Sequence, residues 1–230
     1  MSELSRGIML EGVSCAGKTS TMYEIKKLFA TEANLERNIV MLGEHYTQVL
    51  NSINGELRYH SHDEHIEMLL ERVSMIEGLH KWANKLGSYN RRSRGLYTVF
   101  ERGLLNHLAY YEDYNNPAII EIGEKFAILG IEAIVLVISD TKFVERSKLR
   151  CEQTKESKSE KYHTEYAEQA KRQQESLLTA ASKSNLAYRI ICTDLMKWEE
   201  YAKEIVMSLS RHTGGVSRGS KLYDLYMEDE

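Results

Sequence analysis

The segment GVSCAGKT, from Gly12 to Thr19, carries the clearest chemical signal in the chain. It matches the pattern GxxxxGK[ST], follows the apolar run 8–10 and precedes a predicted helix. Glycines allow a loop to turn its N–H groups inward, while lysine and threonine suit phosphate oxygens and Mg²⁺. The pattern predicts a loop that binds nucleotide phosphates. We assign this binding to the loop and the residue after it: Gly12, Val13, Ser14, Cys15, Ala16, Gly17, Lys18, Thr19 and Ser20.

The class of nucleotide-binding protein is narrowed by what the rest of the chain contains. A switch GTPase needs the guanine-reading pattern NKxD, and the nearest text, Asn84-Lys85-Leu86-Gly87, has no aspartate and falls on a predicted helix. A large AAA-type motor needs more than the 230 residues of this chain. Small phosphotransferases fit this length.

A second group of reactive side chains follows the predicted strand 96–101, where Glu101 and Arg102 are adjacent. Ligands of open α/β sheets bind at the carboxyl ends of the strands. Glu101 can therefore anchor Mg²⁺ or accept a proton, and Arg102 can hold a phosphate or the acceptor. Glu44, at the end of the predicted strand 38–44, is a second candidate base. The alternatives are a surface ion pair for Glu101 and Arg102 and a solvated carboxylate for Glu44.

A third group is basic. Arg146 and Arg150 are four residues apart, so they share one face of a predicted helix, and the polar segment TKESKSEK at 154–161 follows them. This arrangement predicts a lid that closes positive charge onto a transferring phosphoryl group and excludes water. A solvated basic helix is the alternative.

The elements that must position these groups alternate along the chain. We predict buried strands at 7–11, 38–44, 96–101, 133–139 and 187–193. We predict helices at 18–30, 63–86, 104–114, 118–129, 142–150, 162–182 and 197–210. Strands that alternate with helices indicate an α/β fold with a parallel sheet and helices on both faces. We expect a single domain over 1–212 and a flexible tail at 213–230.

The segment His60-Ser61-His62-Asp63-Glu64-His65 allows two interpretations. Three imidazoles and two carboxylates within six residues are ligands that a metal ion could use. Alternatively, Asp63 caps the following helix and the segment 51–62 covers the acceptor. The second interpretation is favoured, because imidazoles at alternating loop positions need not converge.

Composition excludes several partners. A net charge of −4 and a pI near 6.1 argue against a broad nucleic-acid surface. The longest apolar run, 133–138, is too short to span a bilayer, and the first residues lack the pattern of a secretory signal. Three widely spaced cysteines without a CxxC pattern are typical of reduced thiols in a cytoplasmic protein. We therefore expect a small-molecule partner and neither nucleic acid nor membrane.

The segment ERGLLNHLAYY at 101–111 resembles the DRY…AYQ segment of thymidylate kinases, and its acid–arginine pair resembles the ERS of deoxynucleoside kinases. Together with the phosphate loop, the resemblance to this group of P-loop kinases covers roughly 6–210. It implies a three-layer P-loop NTPase fold with strand order 2-3-1-4-5, and a homodimer formed through helices. It also implies transfer of the ATP γ-phosphoryl group, with Mg²⁺, to a nucleoside monophosphate or a nucleoside.

The same resemblance implies roles for individual residues. Thr19 and Glu101 organise Mg²⁺, Arg102 contacts a phosphate, and the lid at 142–162 supplies Arg146 and Arg150. The other implied contacts lie around the two substrates: Thr193 and Asp194 on the adenine side, and Arg72, Glu44 and Tyr110 on the acceptor side, within or near a covering segment at 45–90.

The departures from the family pattern are all on the acceptor side. Gly43-Glu44-His45 stands where thymidylate kinases have Arg-Glu-Pro, Gly103 replaces the tyrosine or serine after the arginine, and Tyr111 replaces the glutamine of AYQ. We therefore expect intact donor chemistry with an open choice of acceptor. Alternatives are a kinase of a non-nucleotide alcohol, such as an antibiotic or a sugar, and a non-catalytic nucleotide-binding regulatory protein.

Overall fold

The computed structural model describes residues 6–31, 38–43, 51–53, 56–58, 60–87 and 96–215. Its strands are β1 (Arg6–Gly12), β2 (Asn38–Leu42), β3 (Asn51–Ile53), β4 (Glu56–Arg58), β5 (Leu96–Glu101), β6 (Ile131–Val137) and β7 (Tyr188–Cys192). Its helices are α1 (Lys18–Thr31), α2 (His62–Gly87), α3 (Leu104–Tyr111), α4 (Pro117–Ile128), α5 (Phe143–Thr154), α6 (Glu160–Lys183) and α7 (Trp198–Gly215), with a 3₁₀ turn at Asp140–Lys142.

Five strands form one parallel sheet in the order β2-β5-β1-β6-β7. When only the five strands of this sheet are counted along the chain, the order is 2-3-1-4-5, as predicted. The predicted fold class is confirmed. All six residues of β5 are buried, which requires that helices cover both faces of the sheet. Helix α1 packs against α7, and α2 packs against α4. Within the described ranges, no helix has the length and apolarity needed to cross a membrane.

The antiparallel pair of β3 and β4 was not predicted from the sequence. Each strand has only three residues, so neither contains enough positions to show an alternating pattern. This pair forms a second small sheet within the segment predicted to cover the acceptor.

The helix ends also differ from the predictions. Ser61, not Asp63, caps α2: the Glu64 N–H lies 3.4 Å from the Ser61 hydroxyl, and the Ser61 N–H donates to Glu64 Oε2 at 2.8 Å. This reciprocal capping box satisfies two N–H groups that a cap at Asp63 would not. Helix α7 runs to Gly215, past the predicted end at 210, and 216–230 lie outside the described residues.

Candidate active site

The phosphate loop connects the end of β1 to the start of α1, as predicted. Two of its glycines are required by their surroundings. Gly12 has φ +150°, and a Cβ there would lie 2.7 Å from the Leu136 carbonyl oxygen. Gly17 has φ +89°, and a Cβ there would lie 2.1 Å from the ring of Trp198. The first residue of α7 therefore packs directly on the loop, a contact that the local motif does not reveal.

The predicted donor residues converge at this loop. Lys18 Nζ donates to the carbonyl oxygens of Gly12 and Val13 at 3.0 and 3.1 Å, and it lies 3.8 Å from Glu101 Oε1. The Thr19 hydroxyl donates to Glu101 Oε2 at 3.2 Å. A hydroxyl and a carboxylate are the oxygen ligands that Mg²⁺ prefers, so the predicted pair of Thr19 and Glu101 fits this ion.

A buried carboxyl group that the sequence analysis did not single out lies beside Arg102. Strands β1 and β5 pair with Leu10 opposite Glu101, and the Arg102 N–H donates to the Leu10 carbonyl oxygen at 2.9 Å. The next residue of β1, Glu11, is fully buried and accepts the Asn106 N–H at 3.3 Å. Burial raises the pKa of Glu11 to about 7, although Arg102 and Lys18 favour the charged form. Glu11 is therefore poised to exchange a proton near neutral pH.

The sequence did contain a signal for Glu11. A glutamate within an apolar strand, directly before the first glycine of a phosphate loop, is unusual, because a charged group is costly to bury unless it is paired. Its interactions with Arg102, which follows β5, and with Asn106 of α3 were not visible in the local pattern.

Arg72 of α2, a predicted acceptor residue, reaches the same place. Its Nη1 donates to the Arg102 carbonyl oxygen at 3.3 Å, and its guanidinium lies 6.0 Å from the centre of the Phe100 ring. Burial lowers the pKa of Arg72 to about 10, and the Glu11 carboxylate opposes that shift. Glu11, Arg72 and Arg102 thus form one group at the carboxyl ends of β1 and β5, which we call the acid–arginine group.

One of the two lid arginines reaches the phosphate loop. Arg150 of α5 donates to the Ser14 hydroxyl. From α6, the Tyr166 hydroxyl donates to the Ser14 carbonyl oxygen at 2.9 Å and lies 3.3 Å from Cys15 Sγ. Residues of the loop and of both helices, including Tyr162, line a cavity of about 230 Å³. Helices α5 and α6 therefore lie against the phosphate loop, where a lid was predicted.

The other lid arginine takes a different direction. Arg146 Nη2 donates to the Thr193 carbonyl oxygen at 2.6 Å, and its guanidinium lies 5.1 Å from the centre of the Trp198 ring. Burial lowers the pKa of Arg146. Asp194, beside Thr193, accepts the Ser139 N–H at 2.9 Å. The predicted residues Thr193, Asp194 and Arg146 therefore connect α5 with the segments that follow β6 and β7.

Two predicted acceptor residues are not part of the acid–arginine group. Tyr110 is 78% exposed, and its ring packs edge-on against Tyr111 with centres 4.7 Å apart. It therefore lies on the exposed side of α3, whereas His107 of the same helix is fully buried. Glu44 lies outside the described residues, so its role as a base stays a prediction.

Two proteins of known structure share this fold. YorR from Bacillus subtilis, solved in complex with phosphorylated GDP, superposes with a TM-score of 0.52 at 15% identity, over 89% of this chain and 95% of its own. Thymidylate kinase from Ehrlichia chaffeensis superposes with a TM-score of 0.50 at 13% identity, over 89% and 98%. No family model matches the sequence, and no curated protein matches it significantly.

Proposed function

We propose that this protein is an ATP- and Mg²⁺-dependent phosphotransferase that moves the γ-phosphoryl group to a small acceptor, a nucleoside monophosphate or a nucleoside. One observation carries the proposal. The phosphate loop, with Lys18, Thr19 and Glu101, lies next to the buried acid–arginine group. A protein that only bound nucleotide would need the loop, but it would have little use for a buried acid held between arginines.

The donor side uses positioning and charge. The N–H groups of the loop and Lys18 would hold the donor phosphates, and Thr19 and Glu101 would hold Mg²⁺, which neutralises phosphate charge. Arg150, bound to Ser14, is placed to stabilise charge on the transferring group. The contacts of Arg146 with Thr193 and Trp198 favour a role in forming the adenine side of the site.

The acceptor side rests on Glu11, Arg102 and Arg72. A hydroxyl nucleophile must lose a proton, and a carboxyl group with a pKa of about 7 suits that task. A phosphate nucleophile is already ionised, and the two arginines then suit its charge. The similar structures support a nucleotide-type acceptor, since one holds phosphorylated GDP and the other is a thymidylate kinase.

The test is ADP formation from ATP and Mg²⁺ across nucleosides, nucleoside monophosphates, sugars and antibiotic alcohols. We expect one nucleoside-type acceptor to stimulate turnover strongly. Arg102→Ala should abolish that stimulation and leave ATP affinity unchanged, because Arg102 belongs to the acceptor side. Arg172→Ala, which removes an exposed arginine of α6, is the matched control and should retain activity.

The outcomes separate the alternatives. Stimulation by a non-nucleotide alcohol alone would keep the reaction and replace the substrate class. Tight ATP binding with no stimulation by any acceptor would favour a regulatory nucleotide-binding protein. Glu11→Gln then distinguishes the two types of acceptor. Turnover of a hydroxyl acceptor should fall by about 10²- to 10⁴-fold, whereas turnover of a phosphate acceptor, which needs no proton removed, should change far less.

A further inference from the structure

The start of α2 and the end of α3 bring together residues that are far apart in sequence. His62 is the first residue of α2, His107 lies on α3, and Asp113 follows α3. His65, one turn along α2 from His62, packs its ring parallel to His107 with centres 5.0 Å apart. We call these four residues the histidine cluster. His62 and His65 come from the segment 60–65, for which the sequence favoured a role other than metal binding, and no member of the cluster belongs to the phosphate loop or the acid–arginine group.

Two imidazoles of the cluster direct Nε2 at one carboxylate. His62 Nε2 lies 2.7 Å from Asp113 Oδ2, and His107 Nε2 lies 3.0 Å from Asp113 Oδ1. The donor atoms of these three side chains all lie within 4.8 Å of one another. Asp113 Oδ1 is buried and, among the residues that the structure describes, accepts no hydrogen bond of good geometry. The carboxylate therefore has coordination capacity that the hydrogen bonds do not use.

The Nδ1 atom of each of these two imidazoles also lies within hydrogen-bond distance of a neighbouring side chain. His62 Nδ1 lies 3.0 Å from Asp63 Oδ1, and His107 Nδ1 lies 2.7 Å from His65 Nδ1. A histidine that binds a metal through Nε2 must carry its proton on Nδ1 and donate it to an outer partner. Asp63 can accept that proton from His62, and His65 can accept the one from His107 in the appropriate tautomer. Both rings are thus oriented as metal-binding histidines are.

We propose that His62 Nε2, His107 Nε2 and the Asp113 carboxylate form a binding site for a divalent transition-metal ion of the Zn²⁺ class. Two imidazoles with one carboxylate suit such ions, whereas Mg²⁺ prefers the all-oxygen pair of Thr19 and Glu101. Tetrahedral coordination with bonds of about 2.0–2.1 Å places ligand atoms roughly 3.3 Å apart, so only small side-chain movements are needed. A fourth position remains for water or another ligand.

The site would join two helices that frame the acceptor side. Helix α2 carries Arg72, and α3 begins directly after Arg102 and Gly103. A metal ion held by both helices would fix the start of α2 against the end of α3. This binding is independent of the proposed reaction, because none of the three ligands belongs to the acid–arginine group or the phosphate loop.

The experiment is metal titration of the full chain after treatment with a chelator. Zn²⁺ is titrated in competition with a chromophoric chelator, and Co²⁺ is added separately to record its visible absorption. We expect one tightly bound ion per chain and the intense bands of tetrahedral Co²⁺. Asp113→Asn, which keeps the shape of the side chain, should weaken Zn²⁺ binding by at least about 100-fold.

Glu112→Gln is the matched control, since it removes the same charge from the neighbouring, exposed residue; its affinity should equal that of the unaltered chain. His62→Gln gives a second test if Asp113→Asn fails to fold, because His62 is only partly buried. Zn²⁺ should also raise the melting temperature of the unaltered chain but not of either ligand variant. Equal affinity in the unaltered chain and the ligand variants, or octahedral Co²⁺ spectra throughout, would overturn the proposal and leave a purely hydrogen-bonded cluster.

Discussion

The two halves of the candidate active site hold charge in different ways. In the donor half, the phosphate loop would bind its ligand through backbone N–H groups and Lys18, whose ammonium group donates to two loop carbonyl oxygens. In the acceptor half, Glu11 and Arg72 are buried. Burial disfavours the charged form of both side chains, so it raises the pKa of Glu11 and lowers the pKa of Arg72. Backbone dipoles do not titrate, whereas buried side chains do. The donor half should therefore be insensitive to pH near neutrality, and the acceptor half should not be.

The largest expected effect is on the donor half. Lys18→Met removes the cation that we propose binds the donor phosphates, and turnover should fall by about 100- to 1000-fold. Lys27→Met is the control, because Lys27 lies on the same helix but pairs with Glu24 on the exposed face. Steady-state ADP formation measures both variants. Equal losses in the two would indicate general damage to α1 rather than a lost phosphate contact.

The pH dependence of stability tests the acceptor half. The pKa of Glu11 is raised from 4.5 to about 7, so between these values the folded chain holds a proton that the unfolded chain releases. The stabilising contribution of this carboxyl is present in full below pH 4.5 and is lost as pH rises through 7. The loss amounts to roughly 3 kcal/mol in the free energy of unfolding.

Glu11→Gln removes this titration. Urea denaturation at several pH values should show the variant gaining stability relative to the unaltered chain as pH rises from 4.5 to 7. Glu112→Gln, at an exposed position, should follow the unaltered chain at every pH. A constant difference between Glu11→Gln and the unaltered chain would show that Glu11 titrates normally, and the contrast between the two halves would disappear.

A smaller effect concerns the dependence of the donor half on α7. Gly17→Ala places a Cβ against the Trp198 ring and should lower the free energy of unfolding by about 1–3 kcal/mol. Trp198→Leu should partly restore stability when combined with Gly17→Ala, because the obstructing ring is gone. Strict additivity of the two changes in a double-mutant cycle would mean that Trp198 does not pack on the loop.

The smallest effect separates two roles for Arg146. Arg146→Lys loses the planar contact over Trp198, and ATP binding should weaken by about 5- to 10-fold, or roughly 1 kcal/mol, with little change in kcat. Arg172→Lys, an exposed exchange on α6, is the control. A fall in kcat at constant ATP affinity would instead support the role predicted from the sequence, a lid arginine that stabilises charge in transit.

Local pattern was sufficient for most of the fold. The five strands of the sheet were predicted, because buried parallel strands read as short apolar runs, whereas their order was implied by the resemblance to P-loop kinases. The pair of β3 and β4 was missed because three-residue strands carry no period. The cap of α2 was misplaced by two residues, because serine and aspartate both suit this position and only the observed hydrogen bonds distinguish them.

Within the candidate site, the phosphate loop could be identified from the sequence, since Gly12 to Thr19 are contiguous, although the contacts of Gly12 with Leu136 and of Gly17 with Trp198 could not. The strand pattern also placed Glu101 and Arg102 at the correct edge of the sheet. The remaining features depend on tertiary contacts. The pKa of Glu11 is raised because the folded chain buries its carboxyl group. Arg146 contacts Thr193 and Trp198 rather than the phosphate loop residue that Arg150 binds. His62 lies close to His107 and Asp113 because α2 packs beside α3. These contacts join residues that are distant in the chain. They could not be predicted, because the local periodicity of a sequence carries no information on which distant residues come into contact.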